Sequence, residues 1–227
     1  MERLVSVVIP AHNSIPYIVE TLDSVFAQQH RPLEVLVVDD GSTDSTANVI
    51  RESYPEVRLI QQQQRGHAAA RNAGILAARG AFLSFLDHDD LWSADKLDLQ
   101  LVCFARDPEL DLVFGHMQNF FTPEMPAVDR ERIAVPLHPI PGQLQGSMLA
   151  RRKSFDRVGF FDEARGMGDF LDWYGRATLA GLRMLMLEET VVHRRIHANN
   201  YQRTHKHERG QILRAVKDLL DRRRAAG

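Results

Sequence analysis

Leu4-Val5-Ser6-Val7-Val8-Ile9-Pro10 is a nearly unbroken β-branched run ended by a proline, the pattern of a parallel strand covered on both faces. Ala11-His12-Asn13-Ser14 then supplies small and polar groups at the strand end, and Ile18, Leu22, Val25 and Phe26 follow at helical spacing. The unit recurs. Val35 to Val38 is a second apolar run ending in Asp39-Asp40-Gly41-Ser42-Thr43-Asp44, Ala47 to Ser53 suits a short helix, and Val57 to Ile60 reads as a third strand. Three strands with helical crossovers in the first 60 residues predict a right-handed, doubly wound parallel sheet.

Further along, Gln61 to Gln64 form a polar connection into the Ala-rich segment Arg65 to Gly74, whose small residues favour a helix lying close on the sheet. Phe82-Leu83-Ser84-Phe85-Leu86 reads as a buried strand that delivers Asp87, Asp89 and Asp90 to its C-terminal end. Carboxylates this close repel one another, and in an open α/β sheet they face the ligand crevice, where a cation bridging them to phosphates would relieve the repulsion. The plainer alternative is a solvated acidic turn capping the helix that follows. That helix is expected around Lys96 to Ala105, with a short strand at Leu112 to Phe114. Five prolines between Pro123 and Pro141 predict a loop-rich excursion across Met117 to Gln145. Beyond it come a helix over Asp169 to Leu179, an apolar run from Met184 to Leu187, a strand at Thr190 to Val192, and an amphipathic helix over Glu208 to Arg223.

Bulk composition narrows the function classes. The 227 residues, 44% hydrophobic, suffice for one well-filled core with a C-terminal appendage, and a formal charge of -2 gives no global reason to expect nucleic acid as a partner. Cys103 is the lone cysteine, so an intramolecular disulfide and a Cys-based zinc cluster are excluded. No apolar run approaches the length of a membrane span and no signal peptide is legible, which predicts a soluble, cytoplasmic protein without a transmembrane segment. No Gly-x-Gly-x-x-Gly follows the first strand, which argues against a dinucleotide-dependent dehydrogenase. A glycoside hydrolase with two carboxylates would need neither a diphosphate pocket nor a metal-bearing Asp-x-Asp.

Four motifs stand in one order: Val-Ser-Val-Val-Ile-Pro-Ala-His-Asn at 5 to 13, Val-Val-Asp-Asp-Gly-Ser-Thr-Asp at 37 to 44, Ala-Ala-Arg-Asn-Ala-Gly at 69 to 74, and Phe-Leu-Asp-His-Asp-Asp-Leu-Trp at 85 to 92. Together they resemble glycosyltransferase family 2. The resemblance implies an α/β GT-A fold, a Rossmann-like and mostly parallel sheet flanked by helices, with the added C-terminal helix. It implies a GT-A domain over 1–205, divided into a nucleotide-sugar-binding half, 1–115, and an acceptor and catalytic half, 116–205, with the amphipathic helix as 206–227. The implied activity is inverting, metal-dependent transfer of a hexosyl or N-acetylhexosaminyl group from a nucleotide diphosphate-sugar, a UDP-sugar, to an acceptor hydroxyl.

The resemblance also distributes roles. Pro10, Ala11, Asn13 and Asp39 would hold base and ribose, Arg71 the base, and Asp87 the ribose, with His88 beside them. Asp40 is a less certain member, since its side chain can bond turn amides. Asp89 and His197 would bind Mn2+ or Mg2+, ions suited to oxygen-rich sites, and Arg194 and Arg195 are candidates for the phosphates. Matching Arg176 to the family's arginine puts Phe170 where the family has its Asp base. Asp169 and Asp172 remain as candidates, with Asp172 preferred because Trp173 follows it as an acceptor platform. The missing Asp leaves a second reading open, a catalytically inactive nucleotide-sugar or carbohydrate binding module. The last helix either covers the domain's own core or forms a homodimer.

Overall fold

Seven residues of β1 (Val5–Ala11) are buried without exception, because the strand lies between parallel β2 (Leu33–Asp40) and parallel β4 (Phe82–Phe85) and is covered on both faces. The structure, a computed structural model, describes residues 4–198, 200, 210–212, 217–219 and 221. Between β1 and β4 the chain runs through α1 (Ile18–Phe26), β2, α2 (Thr46–Ser53), β3 (Arg58–Gln62) and α3 (His67–Ala77). It continues through β5 (Leu91–Trp92), α4 (Lys96–Arg106), β6 (Leu112–Phe121), α5 (Ala127–Glu131), β7 (Ile140–Pro141), β8 (Leu149–Arg151), α6 (Arg152–Val158), α7 (Asp169–Leu179) and β9 (Met184–Ile196). Short 3-10 turns at Gln145–Ser147 and Glu163–Gly168 precede β8 and α7.

All strands among the described residues join one nine-stranded sheet, ordered β3-β2-β1-β4-β8-β6-β9-β5 with β7 on β6. The first four in that order are parallel, as the apolar runs predict; beyond β4 the sheet is mixed, since β8 is antiparallel to β4 and β6 while β9 is parallel to β6. Val5, Val7 and Ile9 face the core under α1, and Val8 faces a second core under α3 and α7. That second contact is close: a Cβ built on Gly74 of α3 would lie 2.2 Å from Val8 Cγ1. Gly74→Ala is therefore expected to destabilise the fold by about 1–3 kcal/mol through overpacking, despite alanine's better helix propensity. Urea denaturation measures the loss.

Two expectations are corrected by pairing. The strand at Leu112 runs on to Phe121, so the proline-rich excursion begins later than Met117. The apolar run from Met184 and the strand at Thr190 are one element, β9, whose register against β6 shifts around His116 and lets Glu188 and Glu189 pass without breaking the strand. The consequence is functional: β9 carries His193, Arg194 and Arg195 in extended backbone to the rim of the sheet.

Of the last helix, residues 210–212, 217–219 and 221 are described and helical; Leu213, Val216, Leu220 and the Arg222-Arg223-Arg224 end lie outside the described residues. The contacts of these residues go to α7 and the turn before it. Leu219 fills the space over Gly175, Arg165 pairs with Asp218, and Gln211 Oε1 accepts from Met167 N at 3.0 Å. Among the described residues no helix is long and apolar enough to cross a membrane.

Candidate active site

A cleft of about 790 Å³ opens at the C-terminal ends of β1, β2 and β4, where strand order reverses about β1, with the ends of β9 and the start of α7 as its other walls. Pro10, Ala11 and Asn13 line it. Asn13, at φ 47, takes the left-handed conformation that Asn tolerates. Its Oδ1 accepts from Thr43 N at 2.8 Å and Asp44 N at 3.2 Å, which fastens the β1 loop to the turn after β2.

Asp39 and Asp40 exchange their expected places. Neighbouring strand residues point to opposite faces, and it is Asp40 that lines the cleft. Asp39 is not on the wall; its carboxylate accepts from Ser42 N at 2.9 Å and Gln61 Nε2 at 3.1 Å. Asp40 accepts from Gln62 Nε2 (2.7 Å), Arg65 N (2.8 Å) and Gly66 N (2.7 Å). It thereby satisfies amides at the start of α3, a helix whose own N-cap, Gly66, has no side chain to do so.

The Ala-rich face of α3 brings Arg71 under the cleft. Its guanidinium, 4% exposed, donates from NH1 to Asp169 Oδ2 at 2.6 Å and from NH2 to Asp87 Oδ1 at 3.0 Å. Burial opposes the charge, and the Asp169 and Asp87 carboxylates outweigh it, raising the pKa. Arg71 Nε has no hydrogen-bond partner among the described residues. One cation thus joins the turn after β4, at Asp87, to the helix that begins at Asp169. Gln145 Nε2 reaches Asp87 Oδ2 at 3.3 Å. The turn carrying Gln145 is tied down by Gln100, which donates to Ser147 O at 2.7 Å and accepts from the buried Lys96 at 2.7 Å.

The acidic turn does not cap a helix, as the plainer reading had it, because β5 intervenes and α4 starts only at Lys96. Asp87, His88, Asp89 and Asp90 all line the cleft. His197 Nε2 donates to Asp89 Oδ2 at 2.9 Å, and Asn200 Nδ2 lies 3.3 Å from the same oxygen. Burial alone would raise the Asp89 pKa; the His197 hydrogen bond and the nearby histidine charges lower it instead. Asp90, buried, accepts from Arg195 N at 2.8 Å, and burial together with the Asp89 and Asp87 charges pushes its pKa well up. Of the paired arginines, Arg194 is on the wall and Arg195 is not. His193 bonds Ser93 at 3.2 Å away from the wall.

Among the described residues no group of three or more His, Cys, Asp or Glu is arranged to hold a metal. Asp89 and His197 form a two-donor set. Such a set suits a hard divalent ion that takes its remaining ligands from a diphosphate and water, as Mg2+ does when held by one or two carboxylates plus substrate phosphates.

Residues 6–162 match the family model described as Glycosyl transferase family 2. The chain belongs to glycosyltransferase family 2. Within the family it is 39% identical to chondroitin synthase of Escherichia coli over 119 residues, 51% of this chain but 17% of that protein. It is 32% identical to the glycosyltransferase GlyG of Streptococcus pneumoniae serotype 4 over 124 residues, 53% of this chain and 41% of the relative. The chain thus spans well under half of these relatives. Its fold is like that of S. aureus TarS residues 1–349 in complex with UDP-GlcNAc, with a TM-score of 0.67 and 22% identity over 87% of this chain and 60% of that one. It is also like the mannosyltransferase PcManGT from Pyrobaculum calidifontis in complex with GDP-Man and Mn2+, with a TM-score of 0.68 and 26% identity over 92% of this chain and 61% of that one. These neighbours establish the GT-A fold expected from the motifs.

The family 2 match ends at residue 162, before the carboxylates of α7. There the preference for Asp172 is not supported. Asp172 is absent from the cleft wall and accepts from Arg176 Nε at 2.8 Å, with Arg165 Nε at 3.7 Å. Arg176 in turn donates to the carbonyls of Val158 and Phe160, so the pair fastens α7 to the end of α6. Trp173 is no acceptor platform either: it is fully buried, stacked on Phe155 at 4.5 Å, and its Nε1 donates to Gly159 O. Phe170, partly buried, packs on Phe114 and Tyr174 against the core. Asp169 alone of these α7 residues lines the cleft. The wall also includes His12, Tyr17, Gln145, Glu163 and Asn200, which the sequence reading did not single out. His12 lies inside the first quoted motif and Asn200 three residues after His197; Gln145 and Glu163 carry no such signal.

Proposed function

We propose that this family 2 domain transfers a sugar from a nucleotide diphosphate-sugar, with a UDP-sugar as the donor, to an acceptor hydroxyl with inversion, in a metal-dependent reaction. The observation that carries the reading is the meeting on one cleft wall of the Asp89–His197 pair, the Asp87–Arg71 pair and Arg194, groups drawn from residues over a hundred apart. Such a wall offers a cation site and a guanidinium to an anionic, oxygen-rich ligand. Asp40 and Arg71 face the nucleotide, Asp87 accepts from the ribose hydroxyls, and Arg194 faces the diphosphate. When bound by Asp89 and His197, Mn2+ or Mg2+ supplies Lewis-acid stabilisation of charge on the departing diphosphate. The TarS and PcManGT structures hold a UDP-sugar and a GDP-sugar with Mn2+ respectively, which supports this class of donor.

Asp169 is the proposed base. It sits across a single guanidinium from the proposed ribose carboxylate, at the start of the helix where the family resemblance expects the base. A base must lie within hydrogen-bond reach of the proton it takes, and Asp169 is placed for an acceptor entering between α7 and the donor. Glu163, the other acceptor-half carboxylate on the wall, is engaged by the exposed Arg65 at 2.9 Å.

The replacement of the family's Asp by Phe170, whose ring packs against the core, favours one rival, a binding module without chemistry. A nucleotide-release assay separates the two. Incubation with UDP- and GDP-sugars and Mn2+, with water and a panel of hydroxyl acceptors, is expected to release the nucleoside diphosphate. Sugar-nucleotide binding without release under any acceptor would establish the module instead.

A further inference from the structure

Arg195 is a buried arginine beside the proposed diphosphate site that makes no use of the cleft. Its backbone N donates to Asp90 Oδ1 at 2.8 Å, its Nε to the Asp89 carbonyl at 2.8 Å and its NH2 to Glu20 Oε2 at 2.6 Å. The guanidinium lies between two rings, 4.9 Å from the centroids of Tyr17 and Phe120, and the Tyr17 ring lies 4.6 Å from that of His197. Asn200 closes the arrangement from the other side. Its Oδ1 accepts from His197 N at 2.7 Å, while its Nδ2 donates to the Arg195 carbonyl at 3.0 Å and lies 3.3 Å from Asp89 Oδ2.

These contacts fix the backbone of Asp89 and His197, one carboxylate oxygen of Asp89, and the side chain of Asp90 at once. They also solve a charge problem. Asp87, Asp89 and Asp90 repel one another, and the backbone N–H of Arg195 donated to Asp90 lowers the cost of that crowding without occupying the space a diphosphate needs.

We propose that Arg195 and Asn200 are positioning residues that hold Asp89 and His197 in the geometry for a metal-bound diphosphate, an inference that rests on reading that pair as the cation-facing donors. Groups of this kind orient ligands without touching the ion, and losing one costs roughly 10–100-fold in metal affinity. Arg195 acts as an organiser of the acidic turn, and the phosphate-facing role on β9 falls to Arg194.

The test is calorimetric titration of UDP into the intact chain, once with Mn2+ and once with EDTA, for wild type, Asp89→Ala, Asn200→Ala and Arg195→Lys. Asn200→Ala is expected to weaken the Mn2+-dependent affinity roughly 10–100-fold while the affinity in EDTA changes far less and the protein still melts cooperatively, at a somewhat lower temperature because buried hydrogen bonds are lost. Arg195→Lys, which keeps the charge but loses the fork and the stacking, is expected to show the same split. If its burial prevents folding, Asn200→Ala decides alone. An Asn200→Ala protein that binds like wild type in Mn2+, or loses affinity equally in EDTA, overturns the positioning role. Should that happen while Asp89→Ala abolishes the metal-dependent component, the parent reading survives and only this inference fails. A wild type with no Mn2+-dependent UDP binding overturns both.

Discussion

Asp169→Asn is expected to lower sugar transfer by roughly 10²–10⁴-fold, the usual worth of general-base assistance, while nucleotide binding survives. Asparagine is the informative substitution because it keeps the shape beside Arg71 and removes the proton acceptor. Some stability is lost with it, since Arg71 is buried and keeps only Asp87 as a charged partner. Activity is therefore to be compared per folded molecule, with the folded fraction read from a melting curve. Asp172→Asn serves as the contrast. Its carboxylate holds Arg176 inside the α6–α7 junction, and because the guanidinium is 25% exposed and keeps two carbonyl acceptors, breaking the pair costs less than the about 3–5 kcal/mol of a fully buried one. The expected result there is a lower melting temperature with turnover per folded molecule retained. Near-normal turnover in Asp169→Asn would eliminate the assignment, and lost turnover in fully folded Asp172→Asn would return the role to Asp172.

Asp89→Ala is expected to abolish Mn2+-dependent nucleotide binding with little loss of fold. A direct donor should cost more than the roughly 100-fold upper value typical of outer-shell groups. The fold is expected to survive because the side chain's partners, His197 and Asn200, belong to the cleft. A second effect works the same way. Asp89 helps burial push the Asp90 pKa up, so its removal relieves a repulsion within the turn. Titration of UDP in Mn2+ and in EDTA, beside a melting curve, reads both quantities. An unfolded variant, or one whose nucleotide affinity in Mn2+ is unchanged, would show that Asp89 is a structural residue.

The parallel half of the sheet was legible because strands buried on both faces are written as continuous apolar runs. β1 and the apolar portions of β2 and β4 have that form. The other half was not. The end of β6, His116 to Phe121, is half-buried and mixes His116, Gln118 and Asn119 with Met117, Phe120 and Phe121, and β9 crosses Glu188 and Glu189 through a register shift, so neither shows a period that marks a strand. The candidate site divides similarly. Motif order points to Arg71, Asp87 and Asp89, whereas the choice between Asp39 and Asp40 turns on which strand face meets the cleft. Nothing local decides that. Asp172 misled for a related reason: its spacing from Asp169 puts both on one helical face, but the sequence does not show that Arg165 and Arg176 are waiting for it on the inner side. The network of Arg195 and Asn200 joins residues more than a hundred positions apart to Asp89, and only the folded chain displays it.

The most direct measurement on the central claim is a thermal-shift screen of UDP, GDP and their sugars, each with Mn2+ and with EDTA. A ligand that binds only the folded state stabilises it by about 2.7 kcal/mol at a hundred times its dissociation constant, well within reach of a melting curve. The predicted result is a rise in melting temperature that needs both a nucleotide diphosphate and Mn2+ and disappears in EDTA. An unchanged melting temperature with every nucleotide, or a nucleotide shift indifferent to the metal, would contradict it.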